Sequence, residues 1–201
     1  MSNKNKDLDN PSVLGIGCFG YGKYNYRDHY KIYKSWSHMI TRCYDHKYSD
    51  IFTTYKGCSI CKEWLNFQNF AQWYENNMWL DKQHYLDKDI LIKGNKIYNQ
   101  NTCVLVNNHI NCIFTKCNSV RGEYPIGVSV DNRNGSFRAY TFDGDKRSMK
   151  YCKSIEEAFN VYKTSKENNI KQVADSYKSK YPNFPQKLYD AMYNYEVEIT
   201  D

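Results

Sequence analysis

The chain has 201 residues, 41% of them hydrophobic and 16% aromatic, with 20 Tyr and a formal charge of +6 from 28 basic and 22 acidic side chains. Mean hydropathy is −0.82, and no stretch approaches the ~18–20 apolar residues of a membrane span, so no membrane partner is expected. The length allows one generous domain or two small ones, and Met1–Asp7 lacks the apolar run of a secretory leader, so the eight cysteines are expected to be thiols in a reducing cytoplasm.

Residues 1–29 form a first segment in which Gly15, Gly17, Gly20 and Gly22 interleave with Phe19, Tyr21, Tyr24 and Tyr26, a spacing that suits a loop or an irregular hairpin. No aliphatic strand precedes these glycines, so they are not a dinucleotide-binding fingerprint. From Tyr30 to Tyr44, Ile32, Tyr33, Trp36, Met39, Ile40 and Cys43 recur at steps of three and four and predict an amphipathic helix. Tyr55 to Cys61 reads as a tight turn, and Trp64, Leu65, Phe67, Phe70, Ala71, Trp73 and Tyr74 predict a second helix. These aromatic stripes suit a core better than a base-stacking platform.

Next, Leu86 to Leu91 suits a strand, Gly94-Asn95 a turn, Cys103 to Val106 a second strand and Asn107 to Phe114 a helix, together a compact ββα unit. Residues 116–124 read as a linker. Beyond it, Ile126–Val130, Ser136–Phe142 and Arg147–Tyr151 alternate like strands, punctuated by Asn134-Gly135 and Asp143-Gly144. Ser154 and Glu157 form a capping box that opens a helix to about Lys178, and Pro182 and Pro185 break the chain before a short acidic ending. The fold class is therefore α+β: a domain at 30–115, a linker at 116–124, and a three-stranded antiparallel sheet packed on one helix at 125–201. Basicity is segmental, since residues 121–153 hold seven basic against four acidic side chains, as a binding face would.

Two resemblances cover most of the chain. Trp36-x-x-Met39-Ile40-x-Arg42-Cys43-Tyr44, Tyr55-Lys56-Gly57-Cys58-x-x-Cys61-x-Glu63-Trp64-Leu65-x-Phe67, Leu86-Asp87-Lys88-Asp89, Gly94-Asn95-Lys96-x-Tyr98 and Thr102-Cys103-x-x-Val106 resemble the HNH-type endonucleases of bacteriophages, a ββα-metal class. Ile126-Gly127-Val128, Gly135-x-Phe137-Arg138-Ala139 and Glu156-Glu157-Ala158-x-x-x-Tyr162 resemble the Apetala-type DNA-binding domain that phage homing endonucleases often carry. The joint resemblance implies a metal-dependent endonuclease that nicks or cleaves double-stranded DNA with Mg²⁺ or Mn²⁺ in the cytoplasm of a bacterial host. The alternative is a catalytically inactive DNA-binding or regulatory protein that retains the HNH scaffold; a protein-interaction module is a third possibility.

By that resemblance, Asp87 is the strand ligand of the metal and Asn111 the helix ligand, with His109 near enough in sequence to compete. Lys88 stands where the family usually has the histidine that deprotonates the attacking water. A lysine titrates near 10.4 in water and makes a poor base, so Lys88 would contact a phosphate instead and leave the proton to His84 or His109. Solvated carboxylates at a strand end are the plain reading of Asp87 and Asp89. Cys58-x-x-Cys61 is half of a zinc knuckle whose other half would be Cys103 and Cys112; packing of buried thiols is the other reading and the favoured one. In the second domain the sheet would enter the major groove, with Arg138 and Tyr140 turned to DNA if Ala139 packs on the helix, and Arg133, Lys146, Arg147 and Lys150 adding base or phosphate contacts. The plain alternative is a solvated basic sheet face.

Overall fold

Apolar side chains repeating every three to four residues need one buried stripe, and two such stripes organise the first half of the chain. In the computed structural model, which describes residues 7–82, 84–115, 123–143 and 146–201, they form α1 (Tyr30–Tyr44) and, after a 3-10 turn at Lys62–Leu65, α3 (Phe67–Asn76). Trp36, Ile40, Phe67 and Phe70 are fully enclosed where these elements meet, and the Trp36 indole donates to the Trp64 carbonyl at 2.7 Å. Each such aromatic contributes on the order of 1.5–3 kcal/mol of burial. Between the helices lie a short α2 (His46–Ile51), capped by the Asp45 carboxylate, and β1 (Ser59–Ile60). The α2 turn was not expected from sequence, because six residues are too few to show a period.

The glycine-rich amino-terminal segment is an irregular hairpin strapped over α1 and α3. Val13 and Gly17 bridge, Cys18 exchanges backbone bonds with Leu65 and Phe67, and Gln68 accepts from the Tyr24 amide while donating to the Phe19 and Tyr24 carbonyls. Gly17 is required sterically: a Cβ there would run into Trp36 and Ile40.

The ββα unit is built from β2 (Tyr85–Asp87), β4 (Val104–Val106) and α4 (Asn108–Ile113). β2 runs antiparallel to β4 with Asp87 opposite Val104. The chain between the two strands leaves the pair to place β3 (Ile97–Tyr98) parallel to β1. The strand expected from Leu86 to Leu91 ends at Asp87, because its side chain accepts the Asp89 and Ile90 amides and turns the backbone.

The chain divides into two compact units, Met1–Asn111 and Cys112–Asp201. Residues 116–122 of the expected linker, and Gly144 of the second expected hairpin turn, lie outside the described residues. The second unit is a sheet in the order β5 (Val128–Val130), β6 (Phe137–Asp143), β7 (Lys146–Cys152), antiparallel throughout and packed on α5 (Ile155–Lys180). Ser154 caps α5 by accepting the Glu157 amide, as the capping box predicts. Val128, Ala139, Cys152, Ala158, Phe159 and Tyr162 make the core. Gly127, at φ +75°, passes directly beneath the Tyr162 ring, where any Cβ would collide with it. Past Pro185 the chain forms a further helix, α6 (Gln186–Tyr193), burying Leu188 and Met192; the sequence reading expected only a tail there.

Candidate active site and nucleic-acid interface

Alternation along β2 sends Leu86 inward and leaves Asp87 on the other side, half-buried at the strand end. Burial, and after it the charge of Asp89, push the Asp87 carboxyl up to about 6, although the Ile90 and Asp89 amides at 2.8 and 2.9 Å pull the other way. The charge of Asp89 thus adds to burial in disfavouring the ionised form of Asp87, an arrangement that a hard divalent cation would relieve. In donor chemistry Asp87 fits such an ion. Asn111 sits on α4, the helix that follows β4, and His109 is exposed on the same helix.

The other two candidates for catalysis face inward. Lys88 is 5% exposed; its ammonium donates to Asp89 Oδ2 and to the Asn95 carbonyl, each at 3.0 Å, while Asn95 returns a bond to the Lys88 carbonyl at 2.7 Å. Lys88 therefore fastens the 88–95 loop. His84 is packed against Tyr74 and Trp79, and its Nε2 accepts the Trp79 amide at 3.4 Å. Burial holds His84 below its ordinary value, so it is a neutral core residue.

The four cysteines weighed as a possible zinc set, with packing the favoured reading, fall into different neighbourhoods. Cys58 lies beside Cys43, and Cys61 beside Cys103, while Cys112 is exposed on α4. Among the described residues no three of His, Cys, Asp and Glu come together as a metal site. Burial pushes the Cys43 and Cys103 thiols up to about 12, as expected of small apolar packing residues. Sequence reasoning gave Arg42 no role, yet its guanidinium lies over the Tyr55 ring at 5.2 Å. Burial would lower it, but the Tyr55 and Tyr98 phenols and hydrogen bonds to Tyr48 and Tyr98 hold it above its ordinary value. The signal available in sequence was an arginine interrupting the inward stripe of α1.

In the second unit Ala139 is fully buried against α5, so Arg138 and Tyr140 share the opposite face by alternation, whereas Phe142, near the strand end, meets Tyr162 and Lys166 of α5. The β7 partners of Arg138, Tyr140 and Phe142 are Tyr151, Met149 and Arg147. Arg147 belongs to that face, stacking its guanidinium on Tyr140 with 3.9 Å to the ring centroid. Arg138 donates to the Val130 carbonyl at 2.6 Å. Arg133 is paired with the buried Asp131, Nη2 to Oδ2 at 2.7 Å, and this pair holds Asp131 well below the carboxylate range. Lys150 pairs with Ala139 and so lies on the helix side, where it lines a shallow groove with Ser154 and Val161; Lys146 shares that side by alternation. Of the six residues expected to contact DNA, Arg138, Tyr140 and Arg147 are therefore gathered on one face, and Lys146 and Lys150 are not with them.

The chain matches no protein-family model, no curated protein and no solved structure. No helix among the described residues is long and apolar enough to cross a membrane.

Proposed function

We propose that the chain is a metal-dependent DNA endonuclease of HNH type, acting in the cytoplasm of a phage-infected bacterium, with the β5–β7 sheet as its DNA-binding element. The observation that carries the reading is Asp87: a half-buried carboxylate at the end of β2, raised by burial and then by Asp89, in a strand–strand–helix unit ordered β2, β4, α4. Asp87 would hold Mg²⁺ or Mn²⁺, with Asn111 as the second ligand, and the ion would supply charge stabilisation to the leaving oxygen. Asp87 is oriented for this by the two backbone amides on its Oδ1. Lys88 is committed to Asp89 and Asn95, and the Nε2 lone pair of His84 to Trp79; His109, exposed on α4, would take the proton from water.

Supercoiled plasmid incubated with Mg²⁺ or Mn²⁺ tests this directly. Asp87→Asn is expected to lower the nicking rate at least ~100-fold, the scale on which removal of one transition-state stabiliser acts; equal products from both proteins would exclude the assignment. A second reading, a DNA-binding protein without cleavage, is favoured by the burial of Lys88, which turns the position of the family's base into a structural tie. It predicts salt-sensitive DNA binding and no metal-dependent nicking by either protein.

A further inference from the structure

Among the described residues no strand lies beside the outer edge of β6 past Tyr140, because β5 pairs only with Phe137 to Ala139 and the Tyr140 amide makes the last bond, to the Gly127 carbonyl. Ser165 on α5 closes that edge, its hydroxyl accepting the Phe142 amide at 2.8 Å and lying 3.3 Å from the Phe142 carbonyl. This brings the next residue, Lys166, over the Phe142 ring, with 4.9 Å from Nζ to the centroid. Phe142 is the register partner of Arg147, and Arg147 stacks on Tyr140. The rim of the sheet thus carries alternating rings and cations: Tyr140, Arg147, Phe142, Lys166.

The two cations lie close enough to repel, and neither makes an ion pair among the described residues. Burial, and then the Arg147 charge, push Lys166 down to about 8. Two cations held close together by stacking cost free energy that an anion between them would return. Each is already restricted by its ring, so little side-chain entropy remains to be lost on binding.

We propose that Arg147 and Lys166 form a clip for one backbone phosphate of duplex DNA, at the rim where α5 meets the open edge of β6. The proposal rests on the DNA-binding reading of the sheet and adds a contact from the helix. A phosphate contact is independent of base sequence, so a fluorescein-labelled 30-base-pair duplex of arbitrary sequence serves as the probe. Fluorescence anisotropy across a salt series is expected to show Lys166→Met binding about five- to tenfold more weakly, with the slope of log affinity against log salt shallower by about 0.9. Lys166→Arg keeps the charge and is expected to retain both values. Methionine preserves the apolar stem over Phe142; if that variant does not fold, Lys166→Gln replaces it. Wild-type affinity and slope in the neutral variant would overturn the clip while leaving the sheet's DNA binding intact. Absence of salt-sensitive binding by the wild-type chain would overturn both.

Discussion

Replacing Asp87 by Asn should make the first unit more stable at neutral pH, although it should also remove the proposed metal ligand. The carboxyl is raised from an ordinary value near 4 to about 6, so its ionised form is disfavoured in the folded state. The sign follows: the penalty is absent below about pH 4, where the carboxyl is protonated folded and unfolded, grows between pH 4 and 6, and is fully present above 6. A gap of about two pH units corresponds to ~3 kcal/mol as a ceiling. Because Asp87 keeps some contact with solvent, and the asparagine amide must itself be accommodated, about 1–2 kcal/mol is the expected gain. Asparagine retains an oxygen for the Asp89 and Ile90 amides, so the turn after β2 survives. For a unit of this size the gain is a rise in Tm of roughly 5–10 °C. All four tryptophans, Trp36, Trp64, Trp73 and Trp79, lie in this unit, so melts followed by tryptophan emission, excited beyond the tyrosine absorption band, report on it alone. The variant should melt with the wild type at pH 4 and above it at pH 8, and Mg²⁺ should raise the wild type more than the variant, by mass action on the ligand-bound state. A difference independent of pH, or a variant that melts lower at pH 8, would refute the assigned environment of Asp87.

Two further predictions concern the second unit. Gly127→Ala adds a methyl at positive φ against the Tyr162 ring and should cost about 2–4 kcal/mol in urea unfolding, part of it recovered when Tyr162→Ala is combined with it; additive losses would contradict the contact. Ser165→Ala strips both polar contacts from the Phe142 backbone and should cost about 1 kcal/mol, with faster amide exchange at Phe142 and unchanged exchange at Ala139. Uniform protection in that variant would show that Ser165 does not close the edge.

Local patterning made much of the fold legible. The stripe from Ile32 to Cys43 placed α1 to the residue, and the capping box at Ser154 and Glu157 placed the start of α5. The hairpin signal at Asn134-Gly135 survives as the Asp131 to Ser136 turn, with Gly135 at φ +72°. The motif pieces behind the two resemblances are largely packing residues: Gly127, Ala139, Ala158 and Tyr162 meet in one core, and Trp36, Trp64, Phe67 and Cys103 in another. They speak to the scaffold more than to its chemistry. The short elements α2, β3 and α6 escaped because two to eight residues do not establish a period, and because β3 pairs with a strand far upstream.

The candidate site was legible as a set of residue types and not as an arrangement. The resemblance singled out Asp87, Lys88 and Asn111, and His84, His109 and the cysteines joined them because those side chains are able to bind metal or move protons. Which of them remain available is a property of burial and of partners distant in sequence. Lys88 is taken by Asn95, His84 by Trp79, and Cys58 lies beside Cys43 on α1 while Cys61 lies beside Cys103. On the sheet, alternation alone allowed either face to be the open one; Ala139 against Ala158 and Tyr162 decided it, turning Lys150 to the helix and leaving Arg138, Tyr140 and Arg147 together. Sequence by itself determined the long helices α1 and α5, the three-stranded sheet and the α+β class, because hydrophobic period and caps act within one turn or one hairpin. Only the tertiary structure decided charge state, exposure and neighbourhood, because desolvation and pairing depend on what the rest of the chain packs against each group.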